Sequence, residues 1–336
     1  MGGLRRVRGA PRAAELSPSG SARSMRDRVE PEAGAGRFAG DMCGRFVASR
    51  PVEDIADLLD VDDIEVPEEL LEPRYNISPQ AGVLAVANRR VRRRDGEDAP
   101  AAAGEPPLRR RLTVYRWGLV PSWAKDPAVG NRSFNARAET LADKPAFRTA
   151  LAKRRCLVPA DAFYEWEKAP AGASSRLAKC SKSVARLPWC FRPADGGVLV
   201  FAGLWEAWRA PRAGGAAAGD ELEQHHEETD GWHDDWLLSC SIITTAANDL
   251  VATIHDRMPV ALMPEDWATW IEPTSLDAAE LGALLSPPPE GYLTGYRVRP
   301  EVNNSRLDDP SMVEPLAVDP EDPSDHEPGT LFDLPG

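Results

Sequence analysis

The sequence lacks a hydrophobic run that resembles a membrane anchor or a secretory signal. No stretch approaches the ~18 consecutive apolar residues typical of a membrane-spanning helix, and the arginine-containing amino end has no apolar signal core. The 336 residues are nevertheless 42% hydrophobic, which is enough for a substantial core. We therefore expect a globular protein of the cytoplasm that has no membrane partner.

Cysteine is also scarce, with five in the whole chain. The number is odd, and the sequence contains neither a CxxC pair nor a cysteine-histidine spacing of the kind that holds zinc. These absences argue against a disulfide framework and against a structural metal site. We expect reduced thiols and no cofactor.

Basic residues are outnumbered, and the net charge of −13 would normally count against a nucleic-acid partner. The charges are, however, segregated along the chain. Residues 86–156 hold 17 Lys and Arg against 7 Asp and Glu, whereas residues 51–73, 220–235 and 301–336 are strongly acidic. A basic block of this kind is compatible with a phosphate-binding groove, although its outer arginines fit a solvated loop equally well.

The first 41 residues are rich in Gly, Ala, Ser, Pro and Arg and show no hydrophobic periodicity. Such composition is typical of disordered segments. Because Met1, Met25 and Met42 are all candidate start sites, residues 1–41 are either a disordered leader or the product of a mis-assigned start.

Residues 42–306 alternate short apolar strands with short helices, which predicts a single α+β domain with few long helices. Two polar stretches, 88–111 and 210–235, interrupt this pattern and are interpreted as surface insertions. Residues 307–336 are acidic and Pro-rich, and we expect a disordered tail there.

Residues 42–46, MCGRF, hold the chemically most informative cysteine. Removal of Met42 would leave Cys43 with a free α-amine, and its amine and thiol together can condense with an aldehyde. The amine forms an imine, and the thiol then closes a five-membered thiazolidine. By itself, however, Cys43 also fits a small apolar residue that opens a strand.

Two further residues lie in contexts that favour acid-base chemistry. Alternation along residues 161–168, DAFYEWEK, places Phe163 and Glu165 on one strand face, so that the carboxylate lies beside an aromatic ring. His255 is the one histidine in an apolar, structured context. The alternatives are a solvated strand glutamate and a histidine with a purely structural role.

Taken together, the sequence motifs resemble the SOS response-associated peptidase (SRAP) family, whose members shield abasic sites in DNA. The similarity spans residues 42–300. It implies an α+β fold with a β-rich, barrel-like core, a basic groove for single-stranded DNA, and a covalent link between the terminal cysteine and the abasic-site aldehyde. The motifs are MCGRF, RYNISP, RWGLVPSWAKD, FNARAET, RRCLVPADAFYEW, AGLWE, TTAAN and IHDRMPV.

The resemblance also assigns site residues by position. It implies a catalytic set formed by the nucleophile Cys43, the amide of Asn135, the acid/base carboxylate of Glu165, and His255. It further implies a monomeric, nucleoid-associated protein with peptidase or lyase-like activity, and it leaves open whether the protein removes its own leader. The implied DNA contacts are Arg45, Pro79, Trp117, Trp123, Arg137 and Thr244.

Three alternatives stay open at this point. Cys43 and His255 also fit a conventional thiol peptidase, and the basic block with its aromatic residues also fits a protein that binds single strands without covalent chemistry. Residues 330–336, TLFDLPG, loosely resemble a peptide that docks on a replication sliding clamp, although the usual leading glutamine is missing. An apolar end without function is the alternative for that segment.

Overall fold

The computed structural model describes residues 43–90, 108–168, 186–210, 236–274 and 276–316. All of them belong to one compact unit, which spans residues 41–336. Residues 1–42, residues 91–107 and 211–235 of the two predicted insertions, and residues 317–336 of the predicted tail, which include the proposed clamp-binding segment 330–336, lie outside the described residues.

The described residues form strands connected by short helices. The strands are β1 (Phe46–Ala48), β2 (Asp63–Glu65), β3 (Arg74–Ile77), β4 (Gly82–Arg90), β5 (Leu108–Trp117), β6 (Asn135–Arg137), β7 (Arg155–Ala160), β8 (Ala162–Lys168), β9 (Arg186–Pro193), β10 (Leu199–Arg209), β11 (Trp236–Ala246), β12 (Arg257–Pro259) and β13 (Leu293–Arg297). The α-helices are α1 (Val52–Leu58), α2 (Pro145–Lys153), α3 (Asp249–Ala252), α4 (Trp267–Ile271) and α5 (Ala278–Leu284). Short 3-10 helices span Glu68–Leu70, Pro127–Arg132, Ala138–Thr140, Pro264–Asp266, Pro300–Asn303 and Pro310–Val313.

Five strands close into a barrel in the order β5, β4, β7, β10 and β11. The ring closes because β11 also pairs with β5 in parallel, with Ser239 opposite Arg116 and Cys240 opposite Trp117. Strands β2, β6 and β12 extend this sheet beyond the barrel. The predicted α+β fold with a barrel-like core is confirmed.

Large aromatic side chains fill the barrel core and leave little spare space. Trp117 packs edge-on against Phe46 with ring centroids 5.1 Å apart. At Gly203 a Cβ atom would lie only 2.7 Å from the sulfur of Cys156, so β10 and β7 approach too closely there for a larger residue. The core therefore fixes the strands that carry the site.

A second sheet, ordered β13-β9-β8-β1-β3, brings the start of β1 beside β8. Phe46 lies opposite Phe163, and the Tyr164 N–H donates to the Arg45 carbonyl at 3.0 Å. Phe163 packs into the aromatic core, whereas Tyr164 belongs to a separate apolar cluster on the other face of β8. The alternation predicted for this strand is confirmed.

The tail boundary predicted at residue 307 is wrong for residues 307–316. The chain forms a 3-10 helix at Pro310–Val313, and Met312, only 2% exposed, packs with Val47 and Tyr164. Its final described residue, Leu316, donates its N–H to the Arg297 carbonyl at 2.8 Å. Met312 and Val313 pack on the same apolar cluster and anchor this acidic segment, which composition alone does not show.

The insertion predicted at residues 88–111 is shorter than expected, because β4 and β5 continue into it as a paired ladder. Asn88 lies opposite Arg110, and the Arg89 guanidinium stacks over the Trp205 ring at 5.4 Å. These arginines are strand residues with packing roles. No helix in the described ranges has the length and apolar character to span a membrane.

Candidate active site

Cys43 lies just before β1, and only 3% of its surface is exposed. Its sulfur donates to the Arg257 carbonyl at 3.5 Å. The Asn135 Nδ2 amide donates to the Cys43 carbonyl at 2.6 Å. Because β6 pairs with β11 opposite Ile242, the barrel sheet itself holds Asn135 against Cys43.

Glu165 on β8 is the carboxylate beside this cysteine, and it is 2% exposed. Burial raises the pKa of the Cys43 thiol well above its usual range, and the charge of Glu165 and its hydrogen bond with the thiol raise that pKa further. The positive charge of Arg257 offsets only part of this effect. Cys43 is therefore a protonated thiol at neutral pH, with a carboxylate acceptor beside it.

Asn135 presents one atom that the folded chain does not use. Its Oδ1 is buried and has no hydrogen-bond partner among the residues that the structure describes. An unpartnered buried acceptor is costly to maintain, and this one belongs to the amide already bonded to Cys43. It offers an acceptor for a donor bound in the site, such as the α-amine of a terminal cysteine.

His255 lies in the turn between α3 and β12. Its Nδ1 lies 3.1 Å from the Arg257 backbone nitrogen and 3.2 Å from the Arg257 carbonyl oxygen, so the tautomer of the ring decides which of the two it bonds. The Arg257 carbonyl in turn accepts from the Cys43 thiol. The structure thus brings Cys43, Asn135 and Glu165 into contact and connects His255 to them through the backbone of Arg257.

Arg257 and Glu139 are site residues that the sequence analysis missed. Their side chains form a bidentate ion pair, with Nη1–Oε1 and Nη2–Oε2 distances of 2.6 and 3.0 Å. The hydrogen bond from Arg257 lowers the pKa of Glu139. Both residues occur in quoted motifs, IHDRMPV and FNARAET, and Arg257 follows His255 by two positions, which was the available signal.

Thr244 lies near the site, as the resemblance implied, but it is fully buried. Its carbonyl accepts from Arg257 Nη2 at 2.6 Å, and its hydroxyl lies 3.3 Å from the same nitrogen. Thr244 therefore supports the Arg257 side chain from within β11. Because the Thr244 hydroxyl is buried, it is not accessible to DNA in this conformation.

Trp117 is a core residue, and its predicted contact with a base is wrong for this conformation. It is 1% exposed, and its indole N–H donates to the Phe134 carbonyl at 2.8 Å. Trp123 differs, since 59% of it is exposed. A hydrogen bond fixes the loop that carries Trp123, since the Ser122 N–H donates to Glu206 Oε2 at 3.1 Å.

Arg137 and Pro79 lie on accessible positions. Arg137 is exposed at the end of β6, two residues after Asn135, and Pro79 is partly exposed just after β3. Their contacts with DNA stay predictions, as does the contact of Trp123.

Arg45 is partly exposed, and its guanidinium has partners within the protein. Its Nη1 donates to Asn76 Oδ1 at 2.6 Å and to the Val302 carbonyl at 2.9 Å, and the guanidinium lies over the Trp166 ring. Burial lowers the pKa of this guanidinium. The structure therefore gives Arg45 internal partners, and its contact with a phosphate stays a prediction.

Within the described residues, no group of three or more His, Cys, Asp or Glu side chains is placed to hold a metal ion. Residues 42–305 match the family model for SOS response associated peptidase (SRAP). This match covers the barrel, the second sheet and all four positions assigned to the catalytic set.

Curated relatives share most of this chain. The abasic site processing protein YoqW of Bacillus subtilis (strain 168) is 34% identical over 273 residues, which cover 81% of this chain and 99% of the relative. The abasic site processing protein HMCES of Mus musculus is 28% identical over 263 residues, covering 72% of this chain and 65% of the relative. A crystal structure of a protein from Bacteroides thetaiotaomicron matches with a TM-score of 0.58 at 23% identity, over 82% of this chain and all of that one.

Proposed function

The chain belongs to the SOS response associated peptidase (SRAP) family, and we propose that it captures abasic sites in single-stranded DNA covalently through an amino-terminal Cys43. One observation carries the proposal. The Asn135 amide holds the backbone of Cys43 at 2.6 Å, and the buried Glu165 carboxyl lies close enough to the Cys43 thiol to raise the pKa of that thiol. The names of the curated relatives, which are abasic site processing proteins, support the lesion as substrate.

The proposed reaction needs no change of oxidation state. An abasic deoxyribose opens to a C1′ aldehyde, and the neutral α-amine of Cys43 attacks that carbon. Loss of water gives an imine. The thiol then adds to the imine carbon while a proton is delivered to the nitrogen, which closes the thiazolidine.

The chain supplies a group for each proton transfer in this sequence. Glu165 lies against the thiol and accepts its proton as the sulfur attacks. The Asn135 Oδ1 accepts from the amine and orients its lone pair toward the aldehyde. His255, whose Nδ1 faces the Arg257 backbone, is the second acid/base group, which we assign to sugar opening and loss of water.

The geometry gives little support to a conventional thiol peptidase. Such an enzyme needs a thiolate, usually formed by transfer of the proton to a neighbouring histidine. Here burial and Glu165 raise the pKa of the Cys43 thiol, and the Nδ1 of His255 lies against the backbone N–H and carbonyl of Arg257. The amine is therefore the better first nucleophile, and the thiol acts second.

The mechanism requires that the peptide bond before Cys43 be absent. We propose that translation starts at Met42 and that the methionine is then removed, since the small side chain of Cys43 permits this removal. Self-cleavage of a longer chain before Cys43 is the alternative. Amino-terminal sequencing of the protein from its native host decides between these routes.

A crosslinking assay tests the proposal. Protein that begins at Cys43 is incubated with single-stranded DNA that carries one abasic site, with intact single-stranded DNA, and with fully duplex abasic DNA. A stable adduct resolved on a denaturing gel is expected only with the first substrate. Cys190→Ser is the matched control, because it removes a different buried thiol and leaves Cys43 in place.

Cys43→Ser tests whether the carbon–nitrogen bond of the imine forms before the carbon–sulfur bond of the thiazolidine. The serine variant keeps the α-amine but lacks the thiol, so it should bind DNA and form only a reversible imine. Borohydride should trap this imine as a stable adduct, whereas no adduct should survive without it. A stable adduct in Cys43→Ala equal to that of the native protein, without borohydride, would show that Cys43 is not the crosslinked residue.

A further inference from the structure

We propose that residues 300–316, termed the strap, are a positioning element that holds Cys43 and Glu165 in reactive geometry. The inference rests on the proposed function and extends it, since neither residue of the reacting pair belongs to the strap. The matched family region ends at residue 305. Much of the strap therefore lies beyond the part of the chain that the family describes.

The segment that carries Cys43 has few backbone bonds of its own. The ladder between β1 and β8 includes Phe46 and Val47, and only the bond from Tyr164 N–H to the Arg45 carbonyl extends it toward Cys43. Chain ends are poorly ordered unless side chains fix them. The side chain of Arg45 supplies such a fixing point two residues after the nucleophile.

The strap is hydrogen-bonded to Arg45 both directly and through Asn76. Arg45 Nη1 donates to the Val302 carbonyl at 2.9 Å and to Asn76 Oδ1 at 2.6 Å. The Asn76 Nδ2 in turn donates to the carbonyls of Asn304 and Leu307 at 3.0 and 2.8 Å. Asn76 is 4% exposed, so these bonds form without competition from water.

The strap also holds both sequence neighbours of Glu165. The Trp166 indole N–H donates to Asn303 Oδ1 at 2.7 Å. The Tyr164 hydroxyl donates to the Tyr75 carbonyl at 2.8 Å and lies 3.5 Å from the Met312 carbonyl. Alternate residues of a strand face opposite sides. The contacts that hold the Tyr164 and Trp166 rings on one face of β8 therefore fix the direction in which Glu165 points on the other face.

The strap is anchored at its far end, away from the reacting atoms. Met312 is buried at 2% exposure beside Val298 and Cys190. The Tyr296 hydroxyl donates to the Val313 carbonyl at 2.9 Å. Loosening this anchor changes the strap without changing any residue of the proposed catalytic set.

The test compares Met312→Ala with Leu284→Ala, a buried truncation in a different cluster that faces none of the strap. A chain that ends at residue 305 removes the outer strap, and a chain that ends at residue 316 is its control. Single-turnover crosslinking of abasic single-stranded DNA gives the maximal rate and the half-saturating DNA concentration. Thermal melting of each variant confirms that it is folded at the assay temperature.

We expect Met312→Ala and the 305 truncation to lower the maximal rate by up to ~10²-fold, the effect typical of a small misplacement of reacting groups. The half-saturating concentration should stay unchanged, because Arg137 and Trp123 are not touched. Equal rates for Met312→Ala and Leu284→Ala, or a 305 truncation that reacts at the wild-type rate, would overturn the proposal. If the truncated chain does not fold, the two point variants decide.

A second readout does not depend on DNA. Alkylation of Cys43 by iodoacetamide, followed by peptide mass spectrometry, should accelerate in Met312→Ala and not in Leu284→Ala, because a displaced strap exposes the thiol and separates it from Glu165. Unchanged alkylation of Cys156 serves as the folding control in the same samples. Equal Cys43 alkylation in both variants contradicts the strap, whereas a native chain that forms no adduct contradicts the proposed function alone.

Discussion

Replacement of Asn135 tests whether its amide orients the nucleophile. Asn135→Ala removes the donor that lies 2.6 Å from the Cys43 carbonyl, in a site where Asn135 is 6% exposed. Loss of one partner from a buried hydrogen bond costs ~1–3 kcal/mol. If that cost falls on the reactive geometry, the rate drops about 5- to 150-fold, since each 1.36 kcal/mol corresponds to tenfold.

Asn135→Asp should slow the reaction further. An ionised aspartate keeps oxygen acceptors but has no donor for the Cys43 carbonyl. It also adds a second carboxylate to a buried site that already contains Glu165, and like charges in such a site disfavour each other. We therefore expect the order native, then Asn135→Ala, then Asn135→Asp in single-turnover crosslinking at saturating abasic DNA.

Asn131→Ala is the matched control for these variants. Asn131 is partly exposed in the 3-10 helix that precedes β6, and its Oδ1 accepts from Arg116. Removing it should leave the crosslinking rate within twofold or so of native, as expected for a surface change. A native rate for Asn135→Asp, or equal losses in Asn131→Ala and Asn135→Ala, would refute the role of Asn135 in orienting Cys43.

Three further predictions concern the DNA surface and the ion pair beside the site. Trp123→Ala should weaken binding to single-stranded DNA by ~1–3 kcal/mol, measured by fluorescence anisotropy, and should leave the thermal stability unchanged. Trp117→Ala should instead lower the free energy of unfolding by ~3–5 kcal/mol, measured by urea titration. Arg137→Ala should lower the slope of log affinity against log salt by ~0.7, measured by anisotropy at several salt concentrations. Arg257 lowers the pKa of Glu139 in the folded state. The ion pair therefore stabilises the fold at pH values above the unfolded pKa of Glu139, and this stabilisation is lost as the pH falls through the folded pKa. The melting temperatures of native and Glu139→Gln protein should accordingly converge in acid.

Local patterns predicted those parts of the fold that depend on neighbouring residues. Helix α2 carries such local signals, since its first residue Pro145 suits the start of a helix and its buried side chains recur at Phe147, Ala150 and Leu151. The alternation along β8 also held, and it placed Glu165 on the same face as Phe163. Such patterns are short-range, so they can be read from a single sequence.

The roles of Trp117 and Arg45 depended on distant partners and were not predictable in this way. Trp117 faces the interior because β5 joins a closed barrel, and closure depends on pairing with β11 more than 100 residues later. Arg45 is used internally because the Val302 carbonyl, 257 residues away, accepts from it. A motif that contains an arginine does not show whether a phosphate or a carbonyl will be its partner.

Burial of Cys43 has opposing effects on its reactivity, and Glu165 reconciles them. A thiol with a raised pKa carries little thiolate, so it resists alkylation and oxidation before a lesion arrives. The same property would slow its addition to an imine, because the sulfur must lose its proton as it attacks. The Glu165 carboxylate, which lies beside that thiol, can take the proton at the moment of attack, when the imine carbon lies beside the sulfur. Glu165→Gln should therefore allow imine formation but delay ring closure. In a time course, the adduct that borohydride traps should appear early, and the adduct that is stable without borohydride should appear late. Simultaneous appearance of both adducts would contradict this order.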